Sequence, residues 1–243
     1  MKQKIIWMYW NEKIPKSVQR IVDHNKKVLT DWKINILNDV NIHQYVKYFP
    51  KNYDTIETIQ QKSDWIRLYL LKTYGGIWSD ISIIYNDSKK LDDLWIKSSN
   101  YDFTGFYNGN KINGIYQIIE NYFLMADKNS TIINLWFHEY TKAIEEGLLN
   151  YKQRIMKEGT IIDANNRSLT DVYFTAYYCL QHVLQHLTTV PKMNLLNSHD
   201  SMYYLLKKCG WKNKKCRIKY FTKVKNKLPY IKLTKKDRTY LHF

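Results

Sequence analysis

The stretch KSDWIRLYLLKTYGGIWSDIS, residues 62–82, decides how the rest of the chain is interpreted. Residues 54–74 carry a helical pattern, with Ser63 predicted to cap the final segment. Gly75 is predicted to end the helix, because glycine adopts the left-handed conformation common just past a helix terminus. A short apolar strand through Asp80 follows at once. The stretch therefore predicts a helix that leads directly into a core strand with a polar end.

The polar residues of this stretch fall into two pairs. On an extended segment Trp78, Asp80 and Ser82 share one face, while Ile77, Ile81 and Ile83 share the other, because side chains alternate along a strand. Asp80 and Ser82 are thus predicted to aim two oxygens in one direction. On the preceding helix, Asp64 and Arg67 are i, i+3 neighbours. Spacing alone leaves two interpretations open. The two pairs could form a ligand site, or they could be a surface ion pair on the helix and polar residues on the solvent-exposed face of the strand.

Strands and helices are predicted to alternate along most of the chain. Further strands are expected at residues 4–9, 32–37, 101–107 and 119–126, and further helices after Pro15, near 130–147 and over 169–187. Alternation of this kind predicts an α/β fold with a mostly parallel central sheet. In such sheets ligands bind beyond the carboxyl ends of the strands.

Positive charge is concentrated near the C-terminus. Between Lys207 and Arg238 there are 14 Lys and Arg and one acid, so this part carries +13 of the formal net charge of +16. We call residues 207–243 the basic segment. Such a segment attracts polyanions, which include nucleic acids, anionic lipid head groups and nucleotide diphosphates.

Cysteine usage and hydropathy predict a cytoplasmic, soluble protein. Cys179, Cys209 and Cys216 are odd in number and lack the paired C-x-x-C spacing of a zinc site, which favours reduced thiols. The apolar run at residues 5–10 is too short to span a bilayer and has no signal-peptide cleavage site.

The 62–82 stretch resembles a known family motif. It is similar to the S-D-x-x-R … G-G-x-(Y/W)-x-D-x-(D/T) core of DXD-type glycosyltransferases. These include capsular polysaccharide synthesis proteins, yeast initiating α-1,6-mannosyltransferases and the glucosylating domains of large clostridial toxins. Three other stretches resemble the capsular branch: KIIWMYWNEKIP at 4–15, NYFLMADKNSTIINLW at 121–136 and LPYIKLTKK at 228–236.

The resemblance implies a single GT-A domain over residues 1–243, a Rossmann-like fold that binds a nucleotide-sugar. It implies a retaining transfer of the sugar, with UDP as the expected nucleotide, to a glycan or glycolipid. A divalent cation, Mn²⁺ or Mg²⁺, is the implied cofactor, with Asp80 and Ser82 as its ligands. The residues expected to bind the donor are Trp7, Tyr9, Asp64, Arg67, Gly76, Asp80, Ser82 and Lys232, of which Asp64, Arg67 and Asp80 are the expected catalytic residues. The residues expected on the acceptor side are Glu120, Asn121 and Asp171.

Ser82 makes the expected metal site unusual. A hydroxyl at this position matches the capsular branch, where threonine is common, but it is a weaker cation ligand than a carboxylate. We therefore expect the metal to arrive with the diphosphate and Lys232 to share in neutralising it. Loss of metal dependence remains open at this point.

Three alternatives stay open on the sequence. The first is a nucleic-acid-binding protein, because aromatic residues are interleaved with the basic ones at Tyr203, Tyr204, Trp211, Tyr220 and Phe221. The second assigns the basic segment to peripheral contact with an anionic membrane, and the third is a family member that binds donor without turnover. His182 and His186 have the i, i+4 spacing of a zinc pair but lack the HExxH glutamate, which favours ordinary helix histidines. The chain also lacks G-x-G-x-x-G and Walker sequences.

Overall fold

The computed structural model describes residues 3–112, 115–162 and 171–240. The strands are β1 (Ile5–Tyr9), β2 (Lys33–Leu37), β3 (Gly76–Ser79), β4 (Ile83–Tyr85), β5 (Phe103–Ile112), β6 (Tyr116–Ala126), β7 (Met193–Asn197) and β8 (Tyr230–Lys232). The helices are α1 (Lys16–Val28), α2 (Ile59–Tyr74), α3 (Ser88–Ser98), α4 (Thr131–Glu146), α5 (Leu148–Lys157), α6 (Thr175–His186), α7 (Tyr204–Lys208), α8 (Lys214–Val224) and α9 (Asp237–Tyr240). Each helix within these ranges is too short or too polar to cross a bilayer.

The central sheet has the order β2-β1-β3-β6-β5-β7 within the described residues. β1 pairs in parallel with β2 and β3, and β5 pairs in parallel with β7. β6 runs antiparallel to its two neighbours, β3 and β5. The predicted α/β fold with a mostly parallel sheet is therefore confirmed.

β1 is buried on both faces, as expected for a central parallel strand. Ile5 and Trp7 pack into the cluster formed with α2, α4 and α6, whereas Ile6 and Met8 pack into the cluster formed with α1 and α3. Because alternate residues serve opposite faces, the whole strand is apolar. Polar groups can reach a ligand only where the strand ends.

The helix α2 begins later than the sequence predicted. Thr58 caps it, with its side chain accepting a hydrogen bond from the Gln61 amide, and residues 53–55 form a separate 3₁₀ turn. Ser63 lies inside the helix, so its predicted capping role was wrong; its Oγ accepts a hydrogen bond from Arg67 instead. The predicted end of the helix at Gly75 is confirmed, with φ at 69°.

The extended segment predicted through Ser82 is interrupted. β3 ends at Ser79, and the chain turns at residues 80–82, where the Ile83 amide donates to the Asp80 carbonyl at 3.0 Å. β4 then leaves the central sheet and pairs with β8. Asp80 and Ser82 therefore converge through a turn at the strand's carboxyl end and not through alternation along one strand.

The basic segment contributes to a further apolar cluster, in which Phe221 of α8 and Ile231 of β8 pack with Ile84 of β4. Cys209 and Cys216 form a disulfide with their Cα atoms 5.5 Å apart, so the prediction of three reduced thiols was wrong for these two. Cys179 is a free, buried thiol.

The helix predicted over 169–187 is α6, which begins at Thr175. Residues 169 and 170 lie outside the described residues.

Candidate active site

A cleft of about 480 Å³ opens at the carboxyl ends of β1 and β3. It lies where ligands bind in sheets of this kind. The predicted site residues that line it are Tyr9, Arg67, Asp80, Ser82 and Lys232. Residues 152 positions apart in sequence, Asp80 and Lys232, thus meet in one cleft.

Asp80 stands at the centre of the charged contacts. Its Oδ2 accepts a hydrogen bond from Lys232 Nζ at 2.6 Å, and its Oδ1 accepts one from Trp78 Nε1 at 3.2 Å. A guanidinium nitrogen of Arg67 lies 4.0 Å from Oδ1. Burial acts to raise the pKa of Asp80, but the charges of Lys232 and Arg67 hold that pKa below its ordinary value. Asp80 is therefore a carboxylate at neutral pH.

Lys232 bridges the two predicted metal ligands. Its Nζ donates to Ser82 Oγ at 2.7 Å as well as to Asp80. Only 11% of the side chain is exposed, and burial lowers the lysine pKa while Asp80 raises it. The pairing of Ile83 with Lys232 between β4 and β8 sets the position of this ammonium.

Arg67 is held by several buried contacts. It donates to the Asn121 carbonyl at 2.6 Å and to Ser63 Oγ at 3.0 Å, and it pairs with Asp64 Oδ1 at 2.9 Å. Its guanidinium also lies over the Trp78 ring, 4.9 Å from the centroid. With this many anchors the cation has little freedom, so it presents a fixed positive charge to the cleft.

Asp64 lies behind Arg67 and does not line the cleft. Its side chain is 7% exposed, and burial raises its pKa to about 7, although Arg67 acts to lower it. The Asn121 amide donates to Asp64 Oδ1 at 2.8 Å, and Asn121 Oδ1 accepts from the Tyr177 hydroxyl at 2.8 Å. Asp64 and Asn121 therefore hold Arg67 in position from the side away from the cleft.

Three other predicted residues lie away from the cleft. Trp7 is 2% exposed in the core, where its Nε1 donates to the Gly75 carbonyl at 2.9 Å. Gly76 lies at the opposite end of β3 from Asp80, and a Cβ there would come within 2.8 Å of the Ile5 carbonyl. Its glycine is thus required by packing against β1, not by a ligand. Asp171 accepts a hydrogen bond from the Tyr173 amide at 3.0 Å and lines neither cavity described here.

Tyr9 is the aromatic residue of β1 that reaches the cleft. Its hydroxyl donates to Asp39, and burial together with that carboxylate raises the tyrosine pKa above its ordinary value. Tyr9 and Trp7 share a face of the strand. Tyr9 is the last residue of β1 and is only partly buried, whereas the four residues before it are buried.

Glu120 lines a second cavity, of about 190 Å³, together with Asn108, Tyr177 and Gln181. Burial raises the pKa of Glu120 to about 7, with Lys232 acting to lower it and Asp80 acting to raise it. Glu120 thus interacts electrostatically with two charged residues of the main cleft, Lys232 and Asp80. Of the three residues expected on the acceptor side, Glu120 is the one that lines this second cavity.

The oxygens of Asp80 and Ser82, as they are positioned here, do not fit a divalent cation. Hard cations need several oxygen ligands, and both expected ligands, Asp80 and Ser82, already accept hydrogen bonds from Lys232. Across the described ranges, no group of three or more His, Cys, Asp or Glu side chains is placed to hold a metal. His182 Nδ1 instead bonds with Thr160 Oγ1 at 2.7 Å, and His186 Nδ1 bonds with the His182 carbonyl at 2.8 Å.

Comparison with known families decides the classification. A family model described as capsular polysaccharide synthesis protein matches residues 1–242. The chain belongs to this family.

Two curated relatives are named O-glycosyltransferases. An O-glycosyltransferase of Annulohypoxylon truncatum is 30% identical over 169 residues, which are 60% of this chain and 39% of that protein. An O-glycosyltransferase of Phomopsis amygdali is 24% identical over 249 residues, covering 83% of this chain and 60% of that protein. The chain therefore spans only part of the length of both relatives.

A solved structure supports the fold of this chain. A glycosyltransferase involved in the glycosylation of the major capsid of PBCV-1 superimposes with a TM-score of 0.52 at 9% identity, over 98% of this chain and 95% of that one. At this level of identity the likeness shows the fold alone. The GT-A-type α/β fold implied by the 62–82 motif is confirmed.

Several cleft residues of this family member were not predicted from sequence. Trp78 contacts both Asp80 and Arg67, while Lys235 and Arg238 add positive charge to the wall. Trp78 shares the predicted polar face of β3, and the two cations follow closely after Lys232 in the basic segment. These sequence positions are the features from which the three residues could have been predicted to line the cleft.

Proposed function

We propose that this protein is a glycosyltransferase that moves a sugar from a nucleotide-sugar, with UDP as the nucleotide, to a glycan or glycolipid. The observation that carries the proposal is the charge pattern of the cleft at the carboxyl end of β3. A fixed carboxylate, Asp80, is surrounded there by the cations of Arg67 and Lys232. A sugar diphosphate presents the complementary pattern of hydroxyls and negative charge.

The proposed chemistry needs stabilisation of a leaving group. When the anomeric C–O bond breaks, a nucleoside diphosphate departs with an extra negative charge, and fixed cations in a cleft stabilise that charge. Arg67 and Lys232 are placed for this, because each is anchored by protein contacts before any ligand arrives. Such preorganisation means that little reorganisation is needed during the reaction.

We propose that the transfer retains the anomeric configuration. In this route the acceptor oxygen attacks the anomeric carbon from the side on which the diphosphate leaves. The acceptor's proton passes to the departing phosphate oxygen, so no protein nucleophile is required. Asp80 fits a supporting role, because its ionised carboxylate is engaged with Lys232 and Trp78 and has no proton to give. Its part is to orient Lys232 and bind donor hydroxyls.

The acceptor is proposed to approach along the Glu120 side. The second cavity there is lined by aromatic residues, Phe174, Tyr177 and Tyr178, and by the polar groups of Glu120 and Gln181. Sugar rings combine apolar faces with hydroxyl edges, which suits a wall of this composition. Asn121 and Asp171, whose oxygens bond within the protein, are left out of this proposal.

The basic segment contributes to the same cleft, because Lys232, Lys235 and Arg238 line it. The basic segment was the reason to consider a nucleic-acid-binding protein. In this proposal, three of its cations bind the diphosphate of the sugar donor instead. The proposal of peripheral contact with an anionic membrane concerns the remaining lysines of the segment.

Activity assays with UDP-sugars test the proposed function. Release of UDP and formation of a glycosylated product are measured for the parent, for Asp80→Asn and for the control Asp200→Asn, whose carboxylate is 69% exposed outside the cleft. Asp80→Asn is expected to lose about 100-fold or more in kcat/KM, a loss of the size seen when one preorganised transition-state contact is removed. Asp200→Asn should match the parent. Equal activity of parent and Asp80→Asn would refute the assignment.

A thermal-shift screen with nucleotide-sugars separates binding from turnover, because only a ligand that binds the folded state raises the melting temperature. Stabilisation without product would identify a donor-binding protein without turnover. Salt-sensitive binding of single-stranded RNA, without any response to nucleotide-sugars, would favour the nucleic-acid alternative.

A further inference from the structure

The oxygen pair that the family motif assigns to a metal already holds a cation of the protein itself. Asp80 Oδ2 and Ser82 Oγ lie 2.6 and 2.7 Å from the same atom, Lys232 Nζ. Two ligands of one divalent cation would have to converge on a point in the same way. A metal and the ammonium cannot both occupy that point, since they would overlap and repel each other.

Lys232 is built into the fold and is not a mobile surface lysine. Its amide donates to the Met202 carbonyl at 3.0 Å, and the following amide, of Leu233, donates to the Ser82 carbonyl at 3.0 Å. The side chain also passes near the Tyr122 ring, 5.6 Å from its centroid. The strand pairing that positions Lys232 therefore also positions Ser82, so the lysine and the oxygen it bonds move as one unit.

The cleft carries enough charge to bind a diphosphate without a metal. Its lining contains the basic residues Arg67, Lys232, Lys235 and Arg238 and the acidic residues Glu12 and Asp80. The formal net charge of these six side chains is +2, which equals the charge of one divalent cation. An ammonium has three N–H donors, and the third of Lys232 has no hydrogen-bond acceptor among the described residues.

We propose that the Lys232 ammonium takes the place of the divalent cation, so that the protein binds the diphosphate of its donor without metal. Asp80 and Ser82 serve as the supports that orient this ammonium, and its remaining N–H donates to a phosphate oxygen. The inference rests on the proposed function, since it concerns the same donor, and it specifies how that donor is neutralised.

Calorimetric titration with UDP tests the proposal, because it measures binding rather than turnover. The parent is titrated after treatment with EDTA and again with excess MnCl₂, and the two dissociation constants are expected to agree within about threefold. Lys232→Met should weaken binding in EDTA about 30-fold, the effect of removing one hydrogen bond to a charged group. Lys212→Met, which removes an exposed charge from the same basic segment, should leave binding unchanged.

A converse variant tests the exclusion of metal. Ser82→Asp combined with Lys232→Ala removes the ammonium and supplies a second carboxylate, so its UDP binding should become Mn²⁺-dependent. Circular dichroism and the melting temperature establish that each variant is folded. If the variants fail to fold, the comparison of EDTA and MnCl₂ on the parent still decides the question.

The outcomes separate the two proposals. UDP binding by the parent only when Mn²⁺ is present would overturn the role of Lys232 and leave the proposed function standing. A parent that binds neither UDP nor any other nucleoside diphosphate, with or without Mn²⁺, would overturn both. Lys232→Met binding UDP in EDTA as tightly as the parent would also refute the inference.

Discussion

Replacing Arg67 by methionine should reduce stability in two separable parts. The first part does not depend on pH. The guanidinium donates to the Asn121 carbonyl at 2.6 Å and to Ser63 Oγ at 3.0 Å, and both of these partly buried acceptors lose their partner. Leaving such groups unsatisfied is expected to lower the free energy of unfolding by about 2–4 kcal/mol.

The second part comes from Asp64 and depends on pH. The pKa of Asp64 in the folded parent is about 7, against 3.8 for an ordinary aspartate in water. Because the folded state keeps this proton longer than the unfolded chain, the parent loses stability as the pH rises between those two values, and this group causes no further loss above them. Without Arg67 the buried carboxyl must hold its proton to higher pH. The penalty of Arg67→Met should therefore grow by about 1.4 kcal/mol for each pH unit above about 7.

Urea unfolding at pH 6, 7, 8 and 9 measures both parts for the parent, Arg67→Met, Asp64→Asn and the double variant. In the Asp64→Asn background the effect of Arg67→Met should be independent of pH, because no carboxyl titrates there. A penalty that stays constant from pH 6 to 9 in the presence of Asp64 would refute the account of this buried pair. So would a total loss below about 1 kcal/mol.

Three further predictions concern packing, the disulfide and the acceptor side. Gly76→Ala should destabilise by about 2–4 kcal/mol, since it combines a φ of 101° with a backbone clash, whereas Gly159→Ala, with open space around it, should lose only about 1–2 kcal/mol; equal losses in thermal unfolding would contradict this. Reducing the Cys209–Cys216 bond, which closes a loop with a separation of 7 residues, should lower the free energy of unfolding by about 2 kcal/mol. An unchanged denaturation midpoint after verified reduction would contradict that estimate. If ionised Glu120 accepts a hydrogen bond from the acceptor, the acceptor KM of the parent should fall as the pH rises through about 7. Glu120→Gln should lack this pH dependence, and an identical pH profile in both proteins would remove Glu120 from the acceptor site.

The sequence predicted the parts of the site that depend on local pattern. Alternation and helix-stop signals located β1, the end of α2 and the start of β3, and these elements bring Arg67 and Asp80 together. The motif resemblance then pointed to the GT-A-type fold. Local pattern was sufficient here because α2 and β3 are joined by a single residue, Gly75.

The remaining features depend on contacts between distant parts of the chain. Lys232 reaches Asp80 through the pairing of β4 with β8, which no local pattern encodes. Which aromatic residue of β1 reaches the cleft depends on tertiary packing, which buries Trp7 in the core and leaves Tyr9, at the end of the strand, in the cleft wall. The disulfide was missed because an odd cysteine count does not reveal which two thiols the fold brings together.

A crystal structure of the protein with UDP, grown in EDTA, tests whether the cleft at the carboxyl end of β3 binds the diphosphate of a nucleotide-sugar. We expect a pyrophosphate oxygen within hydrogen-bond distance of Lys232 Nζ, with Arg67 facing the same group. A diphosphate bound outside this cleft would refute the proposed donor site.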